Sequence, residues 1–341
     1  MNKLSDELLI ETEVFIDKID FSQLQNKKIM ITGASGLVGL HLYATIKKLI
    51  LQKNYNIQVY GTYSSEPTEY FKELCNFKGS EIINGDISDF HFLDSLPMVD
   101  FIIHAAGYGQ PNKFMDNQTK TLKLNTVSIF ELMKKLNKNG KFLFISSSEV
   151  YSGSNNTPFN EKEIGTTNTD HPRSCYIEGK RCGEAIVNSF RATGINAKSA
   201  RLSLAYGPGT KIGDKRVLNS FIDKALAGNI EMVDEGKSLR VYCYISDVVY
   251  MMWKILFEGS FAVYNIGGVS KTSIKELADT ISKELAVDVI IPNVTKSLLG
   301  SPDNVSLDMS RFEGEFGKIE YIPLDKGIKK TINWQMNLNK L

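Results

Sequence analysis

KKIMITGASGLVGLHLYATIKKLI, residues 27–50, joins a short apolar run to a glycine-rich turn and then to a segment with helical periodicity. The run at 28–32 has the length and apolar character of a buried strand, and residues 40–51 repeat apolar side chains at helical spacing. A strand that passes through a glycine turn directly into a helix predicts the first unit of a parallel α/β sheet.

The glycines Gly33, Gly36 and Gly39 of this turn stand at GxxGxxG spacing. Glycine permits a tight turn and a close approach of the backbone to a pyrophosphate, and the helix N-terminus supplies unpaired N–H groups. Such a turn can be merely structural, but its place between a strand and a helix favours nucleotide binding. The residues expected to line the bound phosphates are Gly33, Ser35, Gly36, Leu37, Val38 and Gly39.

Strand-like and helix-like segments alternate through the first half of the chain. This alternation predicts right-handed βαβ units and an α/β fold, a Rossmann-type doubly wound parallel sheet. The second half is less regular and predicts a smaller C-terminal α/β lobe. Further strands are expected at 56–63, 81–88, 99–107 and 141–151, and a helix at 119–136.

A chain of 341 residues is long for one core and is expected to have three parts. Residues 1–26 form an N-terminal extension with a short polar helix at 5–18. Residues 27–205 form the dinucleotide-binding domain, to which parts of 240–268 return. Residues 206–341 form mainly the substrate-binding lobe.

The charge of the chain is balanced, with 40 Lys and Arg against 39 Asp and Glu, which argues against nucleic acid or an anionic membrane as partners. No apolar run approaches the roughly 20 residues that span a bilayer, and the N-terminus lacks the apolar core of a signal peptide. The four cysteines are scattered, and no His, Cys and acid cluster suggests a metal site. A reducing, cytoplasmic compartment is the natural expectation.

The stretch HPRSCYIEGKRCGEA, residues 171–185, carries Tyr176 and Lys180 four residues apart. On a helix this spacing puts both side chains on one face, where a lysine cation lowers the pKa of a neighbouring phenol. Such a tyrosine can remove a hydroxyl proton while hydride leaves the same carbon, or return the proton in the reverse direction. The spacing alone is equally typical of a solvated helix face, but the glycine turn upstream favours the catalytic interpretation.

Four short motifs follow the glycine turn in order: GDISD (85–89), HAAGYG (104–109), LNT (124–126) and the YxxxK of Tyr176 and Lys180. Together with TGxxGxxG they resemble the extended short-chain dehydrogenase/reductases. The resemblance implies a nicotinamide dinucleotide cofactor, NAD or NADP, whose nicotinamide ribose Lys180 holds. The other cofactor-site residues that it implies are Asp86 and Ile87 at the adenine, Ala105, Ala106 and Gly107 beside the cofactor, a structural Asn125, and Tyr176.

The choice between NAD and NADP stays open at the end of the second strand. An acid there would bind the ribose 2′-hydroxyl and favour NAD, but the strand ends GTYSS (61–65), without an acid or an arginine. Thr62, Ser64 and Ser65 are compatible with a 2′-phosphate, which slightly favours NADP.

The stretch ISSSEVYSG, residues 145–153, ends the fifth strand at the carboxyl edge, where α/β proteins place their sites. A polar strand end is also common without any function. By the resemblance, Ser147 matches the Ser/Thr that hydrogen-bonds the reacting sugar hydroxyl, and Ser148 and Glu149 follow it. Glu149 matches the acid/base glutamate of sugar-nucleotide dehydratases and decarboxylases, which simple dehydrogenases do not need.

From about residue 27 onward the chain resembles nucleotide-sugar epimerases, dehydratases and decarboxylases, and the nearest pattern is that of the UDP-glucuronate decarboxylases (UDP-xylose synthases). PRSCYIEGKR (172–181) and SSEVY (147–151) match signatures of that family, with Ile177 where it has aspartate. The stretch 109–126 resembles its substrate loop. The substrate contacts implied are Ser147, Glu149, Tyr176, Arg216 and Arg240.

The chain also departs from this pattern. The acid after the second strand is missing, Ser203-Leu204-Ala205 replaces Phe-Asn-Thr, and Gly209 replaces an arginine. Related dehydratases have aspartate at Ser148, which disfavours 4,6-dehydration. We therefore expect hydride transfer at C4 of a nucleotide sugar, with UDP-glucuronate decarboxylase-like chemistry. An NAD(P)H-dependent 4-ketoreductase or a 4-epimerase is the alternative, and a non-catalytic nucleotide-binding scaffold is more remote.

The resemblance implies an assembly as well. Helices that start near Thr119 and Tyr176 are expected to pair across a two-fold axis, so that two chains form a homodimer through a four-helix bundle. Enzymes of this kind commonly serve bacterial capsule or O-antigen synthesis, and a role in polysaccharide biosynthesis is therefore expected.

Overall fold

A computed structural model describes residues 3–292 and 304–340 of the chain. The strands in chain order are β1 (Lys27–Thr32), β2 (Ile57–Tyr63), β3 (Ser80–Asn84), β4 (Val99–His104), β5 (Leu136–Ser147), β6 (Asn196–Leu202), β7 (Leu204–Tyr206), β8 (Asn229–Glu231), β9 (Leu239–Tyr244), β10 (Val263–Ile266), β11 (Ser270–Ser273) and β12 (Asp288–Ile290). The helices are α1 (Lys3–Glu11), α2 (Leu37–Lys53), α3 (Glu69–Cys75), α4 (Phe90–Ser95), α5 (Pro111–Asp116), α6 (Gln118–Asn125), α7 (Val127–Lys134), α8 (Ser174–Ala192), α9 (Val217–Leu226), α10 (Ile245–Glu258), α11 (Ile274–Leu285), α12 (Ser310–Phe316) and α13 (Leu324–Leu338).

The centre of the fold is a seven-stranded parallel sheet in the order β10-β6-β5-β4-β1-β2-β3. This confirms the predicted doubly wound α/β architecture. The chain winds outward from β1 in one direction through β2 and β3, and in the other through β4, β5 and β6. The reversal between β1 and β4 opens a crevice at the carboxyl edge of the sheet, where such folds bind ligands.

Helices cover both faces of this sheet, so its strands are apolar on both sides. In β1, Ile29 and Ile31 enter the core cluster under α2 and α10, whereas Met30 enters the cluster on the opposite face. Strand side chains alternate between faces, which accounts for this division. The crevice therefore rests on a rigid, fully packed sheet.

The C-terminal part builds a second, smaller unit around the same edge. Strands β11, β9 and β7 form a three-stranded sheet, and β12 pairs with β8. Helix α13 packs on α9, α11 and α1. Between these pieces α10 packs on β5 and β6, and β10 pairs with β6. The domain boundary between residues 205 and 206 stays a prediction. Within the expected segments 1–26 and 206–341, residues 1–2, 293–303 and 341 lie outside the described residues.

The N-terminal helix is shorter than expected, because α1 ends at Glu11 rather than at residue 18. Thr12 donates its hydroxyl hydrogen to the Leu9 carbonyl at 2.8 Å and occupies an acceptor that a further turn would use. Leu4 and Leu8 are buried in the main core, and α1 packs on α2, α3 and α13. Of the helices described, none has the length and apolar character needed to cross a bilayer.

The single helix expected at 119–136 is wrong. The chain divides at Thr126, whose φ of −131° and ψ of −77° leave the helical region. Thr126 donates its hydroxyl hydrogen to the Leu122 carbonyl at 2.7 Å, and Ser128 donates to the Ile87 carbonyl at 2.6 Å. Such hydroxyls compete with the backbone for acceptors and interrupt helices.

The fifth strand begins before the expected 141–151 and ends sooner. β5 stops at Ser147, and residues Ser148–Tyr151 form a 3₁₀ turn. The Ser147 hydroxyl accepts a hydrogen bond from the Glu149 amide at 3.2 Å and caps this turn. Likewise β3 ends at Asn84 and β4 at His104, so the predicted site residues beyond them lie in loops at the carboxyl edge.

Candidate active site

The glycine turn is closed by backbone contacts that leave no room for side chains. Gly33 has a φ of +68°, and a Cβ there would lie 2.9 Å from the Ala105 carbonyl oxygen. A Cβ at Gly39 would lie 2.3 Å from the Gly33 carbonyl oxygen. Gly36 precedes α2 and provides no side-chain cap, so the first-turn N–H groups stay open to an anion. This cradle fits the pyrophosphate of a dinucleotide.

His104 locks the ends of β1 and β4 together. Its Nε2 donates to the Leu124 carbonyl at 2.9 Å, so its Nδ1 accepts from the Thr32 hydroxyl at 2.8 Å. The same hydroxyl oxygen accepts from the Ala106 amide at 3.1 Å. Burial lowers the pKa of His104 to about 4, which keeps it neutral. The turn at 105–107 is thereby held against the glycine turn.

Asp86 is fixed as an anion beyond β3. It accepts hydrogen bonds from the Ser88 amide and hydroxyl at 2.9 and 2.7 Å, and it forms an ion pair with Lys120 of α6 at 2.6 Å. Burial raises the pKa of Asp86, but the bonds to Lys120 and Ser88 outweigh it and lower the pKa overall. Ile87 beside it is buried. Sequence reasoning missed Lys120.

Asn125 lies at the crossing of α6 and α8. Its Nδ2 donates to the Thr121 carbonyl at 2.8 Å. A Cβ at Gly183 would lie 2.6 Å from the Asn125 carbonyl oxygen, and one at Gly179 would lie 3.3 Å from its Cβ. Because two glycines let α8 approach this closely, Asn125 helps to position the helix that carries Tyr176.

Tyr176 projects from α8 onto an aromatic partner. Its ring stacks on Phe114 of α5, with centroids 4.5 Å apart and planes inclined by 11°. The side chain is half-buried, but its hydroxyl end is desolvated, which raises the pKa of Tyr176 to about 12 against a hydrogen bond with Ser147. Sequence reasoning missed Phe114, although it lies in the quoted stretch 109–126, because only the tertiary fold brings it to the tyrosine.

Lys180 lies one helical turn after Tyr176. Its Nζ donates to the Ile145 carbonyl at 2.7 Å and lies 5.6 Å from the centroid of the Tyr176 ring. Burial lowers the pKa of Lys180 to about 7, against the charge of Glu184. The expected lowering of the phenol pKa is therefore wrong for this structure: the lysine is only partly charged at neutral pH, and burial dominates at the phenol. A Cβ at Gly107 would lie 4.0 Å from the Lys180 Nζ.

Glu149, in the 3₁₀ turn after β5, is paired with Arg173 at the start of α8. Their ion pair measures 2.6 Å, with 19% of the glutamate side chain and 12% of the arginine side chain exposed. Burial raises the pKa of Glu149, against the charges of Arg173 and Arg240. Its Oε2 is buried without a hydrogen-bond partner among the described residues. Arg173 was missed as a site residue, although it stands three residues before Tyr176 in the quoted signature.

The remaining predicted substrate residues surround this centre with positive charge. Arg216 is paired with Asp214 at 2.6 Å, and its charge acts on Tyr176. Arg240 donates to a neighbouring backbone carbonyl at 2.8 Å, and its charge acts on Glu149. Cations concentrated in a crevice favour an anionic ligand such as a diphosphate.

The predicted ribose and turn residues divide between the core and the surface. Thr62 is buried in register with Thr32, whereas Ser64 and Ser65 are exposed beyond β2. The structure brings together Ser147, Glu149, Tyr176 and Lys180. Ser148 is half-buried at the start of the 3₁₀ turn. On the far side of the crevice, Ser35 lies in the glycine turn, and Leu37 and Val38 begin α2.

Comparison with known proteins gives consistent results. Residues 29–267 match the model of the NAD dependent epimerase/dehydratase family. Similar proteins include UDP-glucuronic acid decarboxylase 6 of Arabidopsis thaliana, 29% identical over 89% of this chain and 87% of that protein. UDP-glucuronic acid decarboxylase 1 of Xenopus tropicalis is 28% identical over 92% of this chain and 73% of that protein.

Solved structures share the fold at lower identity. An epimerase from Methanothermobacter thermautotrophicus has a TM-score of 0.81 at 19% identity, over 99% of this chain and 96% of that one. A dTDP-glucose 4,6-dehydratase from Streptomyces venezuelae has a TM-score of 0.79 at 20% identity, over 92% and 98%. The expected family resemblance and the nicotinamide cofactor are confirmed, and the chain belongs to the NAD dependent epimerase/dehydratase family.

Proposed function

We propose that this enzyme oxidises a nucleotide sugar at C4 and then decarboxylates it, as UDP-glucuronate decarboxylases do. The observation that carries the proposal is the partly buried Glu149–Arg173 ion pair of 2.6 Å, whose two charges act on the nearby Tyr176. A simple dehydrogenase needs one acid/base, whereas a second acid with a raised pKa suits a later proton transfer at carbon. Similarity to UDP-glucuronic acid decarboxylases over about nine-tenths of the chain supports the substrate class.

In the first step Tyr176 takes the proton of the C4 hydroxyl while Ser147 holds that oxygen. A nicotinamide dinucleotide held by the glycine turn would supply the hydride chemistry at C4, in both directions. The pKa of Tyr176 is about 12 without substrate, so proton removal depends on the positive charges of Arg173 and Arg216, which lower this pKa. The product of this step is a 4-keto sugar.

The 4-keto group turns a C6 carboxylate into a β-keto acid, so the C5–C6 bond can break with loss of CO2. The electron pair of that bond moves into an enolate at the C4 oxygen. Glu149, whose pKa is raised by burial, takes up a proton from solvent and delivers it to C5. Tyr176 returns its proton to the C4 oxygen when C4 is reduced again, and the cycle would leave the cofactor in its starting redox state.

Incubation with UDP-glucuronate and NAD or NADP is expected to release CO2 and form a UDP-pentose, measured by gas release and mass spectrometry. Glu149→Gln should slow formation of the UDP-pentose by about 100-fold, because it removes the acid that protonates C5 after CO2 is lost. Glu178→Gln is the matched control, since it breaks another carboxylate–arginine pair, with Arg181 at 2.6 Å on α8, and should stay active. Absence of both products with the unaltered protein would refute the decarboxylase proposal.

An NAD(P)H-dependent 4-ketoreductase is the second candidate, favoured by the departures near β7. Leu204 replaces an asparagine expected near the substrate diphosphate. Gly209 has a φ of +103°, and a Cβ there would lie 3.2 Å from the Leu37 side chain. The backbone conformation and the close packing at this position therefore suit glycine and not the arginine of the UDP-glucuronate decarboxylase pattern. Loss of NAD(P)H absorbance with a 4-keto nucleotide sugar would favour this candidate. Conversion of a nucleotide sugar into its C4 epimer would favour an epimerase. The presence of Ser147, Tyr176 and Lys180 together argues against a non-catalytic scaffold.

We also propose a homodimer through α6, α7 and α8. Leu122, Val127 and Phe130 expose apolar side chains there, and Phe130 packs edge-on against Phe190 of α8. Large exposed apolar side chains on neighbouring helices are typical of an interface. The mass in solution should be twice the 38.2 kDa of the chain. Phe130→Glu should give a monomer, whereas Leu51→Glu, at the exposed C-terminal end of α2, should not. A persistent Phe130→Glu dimer would place the interface elsewhere.

A further inference from the structure

The end of β2 carries a polar cluster that the catalytic steps do not use. Ser35 of the glycine turn and Ser65 beyond β2 have hydroxyl oxygens 3.5 Å apart. Lys211, from the loop after β7, donates from Nζ to the Ser65 hydroxyl oxygen at 3.0 Å. In a doubly wound sheet this position faces the adenosine ribose of a dinucleotide, where an acid binds the 2′-hydroxyl or a cation accommodates a 2′-phosphate.

The loop that carries Lys211 is held by the fold on both sides. The Pro208 carbonyl accepts a hydrogen bond from the His41 Nε2 of α2 at 2.8 Å. The Thr210 carbonyl accepts one from the Trp334 Nε1 of α13 at 2.8 Å. Both side-chain donors are buried, so the lysine reaches Ser65 from an anchored backbone.

The charge around Lys211 suits an anion. In the parts of the chain that the structure describes, no carboxylate forms an ion pair with it. Partial burial and the neighbouring charge of Lys113 lower its pKa. Glu66, the next residue after Ser65, is exposed, and its charge acts on Lys72 of α3. The cluster therefore offers an ammonium and two hydroxyls as donors, without a carboxylate to accept from a ribose hydroxyl.

We propose that Lys211, with Ser65 and Ser35, binds the 2′-phosphate of NADP(H) and makes this enzyme select NADP(H) over NAD(H). Hydrogen bonds from a cation to phosphate are among the strongest in proteins, and the serine hydroxyls can turn to donate to the same oxygens. The inference rests on the proposed function only in requiring a nicotinamide dinucleotide, not on the sugar or the reaction. Lys211 is 146 positions from Ser65, so no local motif signals its role.

Binding measured without any sugar tests this proposal. The probes are NADPH against NADH, followed by fluorescence, and adenosine 2′,5′-bisphosphate against 5′-AMP, followed by calorimetry. The unaltered protein should bind the 2′-phosphorylated member of each pair more tightly, by about 10-fold or more. Lys211→Ala should weaken binding of those members by about 10- to 100-fold and leave NADH and 5′-AMP unchanged. Lys215→Ala, with the same charge change in the same loop, is the matched control and should change neither.

A second variant keeps the test independent of Lys211. Ser65→Asp should reverse the preference, because its carboxylate accepts from the ribose 2′-hydroxyl and repels a 2′-phosphate. Equal affinity of the unaltered protein for NADPH and NADH would overturn the proposal. So would an equal loss of affinity for both cofactors in Lys211→Ala, which would place the lysine at the pyrophosphate. A selective loss of NADH affinity in Glu66→Gln would overturn it as well. Since no sugar is present, these outcomes are separate from failure of the decarboxylase assay.

Discussion

Tyr176→Phe is expected to lower kcat on the true nucleotide-sugar substrate by about 10²- to 10⁴-fold, the usual contribution of a positioned acid/base. The phenol hydroxyl is the group that exchanges the C4 proton, and phenylalanine has none. The ring itself is retained, so its stacking on Phe114 at 4.5 Å stays. Steady-state kinetics on purified variant and parent measure the effect.

Stability measured alongside separates chemistry from folding. Tyr176→Phe removes a single hydroxyl group, so the free energy of unfolding should fall by no more than about 0.5–1.5 kcal/mol. Tyr43→Phe is a matched control, because this buried tyrosine bonds Ser80 at 2.8 Å and should lose similar stability without losing kcat. If Tyr176→Phe kept turnover within about tenfold of the parent, Tyr176 would not be the acid/base.

Parts of this site could be predicted because local rules determine them. The strand, turn and helix around Gly33 and Gly39 are contiguous, so their spacing reports directly on the cradle. Tyr176 and Lys180 are four apart on one helix, so their shared face follows from helix geometry. Parallel strands end at the same edge, which placed the end of the fifth strand in the predicted site, and the family resemblance then selected Ser147 there.

Other parts of the site depend on contacts between segments that are distant in the sequence, and the periodicity of apolar residues does not predict such contacts. Phe114 reaches Tyr176 from α5, and Lys211 reaches Ser65 across the crevice. The break at Thr126 follows from hydroxyls that compete for helix carbonyls, which an apolar pattern does not show. The direction of the Tyr176 pKa was wrong for the same reason, since burial is a property of the folded chain and outweighs the expected lysine charge.

Lys180→Met is expected to lower activity and to raise stability, a combination that separates function from folding. Methionine fills a similar volume but cannot donate to the Ile145 carbonyl, or to the nicotinamide ribose as the family resemblance implies. Loss of one charged hydrogen bond of about 1.5–3 kcal/mol corresponds to roughly 10- to 150-fold in kcat/KM. Stability should rise because a buried cation is removed.

The stability effect has a defined pH dependence. Burial lowers the pKa of Lys180 to about 7 in the folded chain, against about 10.4 in the unfolded chain. Between these values the unfolded chain binds one proton more than the folded chain. The destabilising effect of this lysine is therefore full below about pH 7 and shrinks as the pH rises, by about 1.4 kcal/mol per pH unit. Lys180→Met should remove that slope from the free energy of unfolding.

Lys198 provides the matched control, because burial also lowers its pKa to about 7, while its Nζ donates to the Leu256 carbonyl of α10 at 3.3 Å. Lys198→Met should remove an equal share of the slope in urea unfolding between about pH 7 and 9, with kcat/KM unchanged. If Lys180→Met and Lys198→Met lost activity equally, the activity loss of Lys180→Met would be due to a change in folding and not to a catalytic role. An unchanged slope in Lys180→Met would show that its ammonium is not desolvated. Lower activity with higher stability in Lys180→Met, together with unchanged kcat/KM in Lys198→Met, would mean that the buried Lys180 costs stability and is retained for its role in catalysis beside Tyr176.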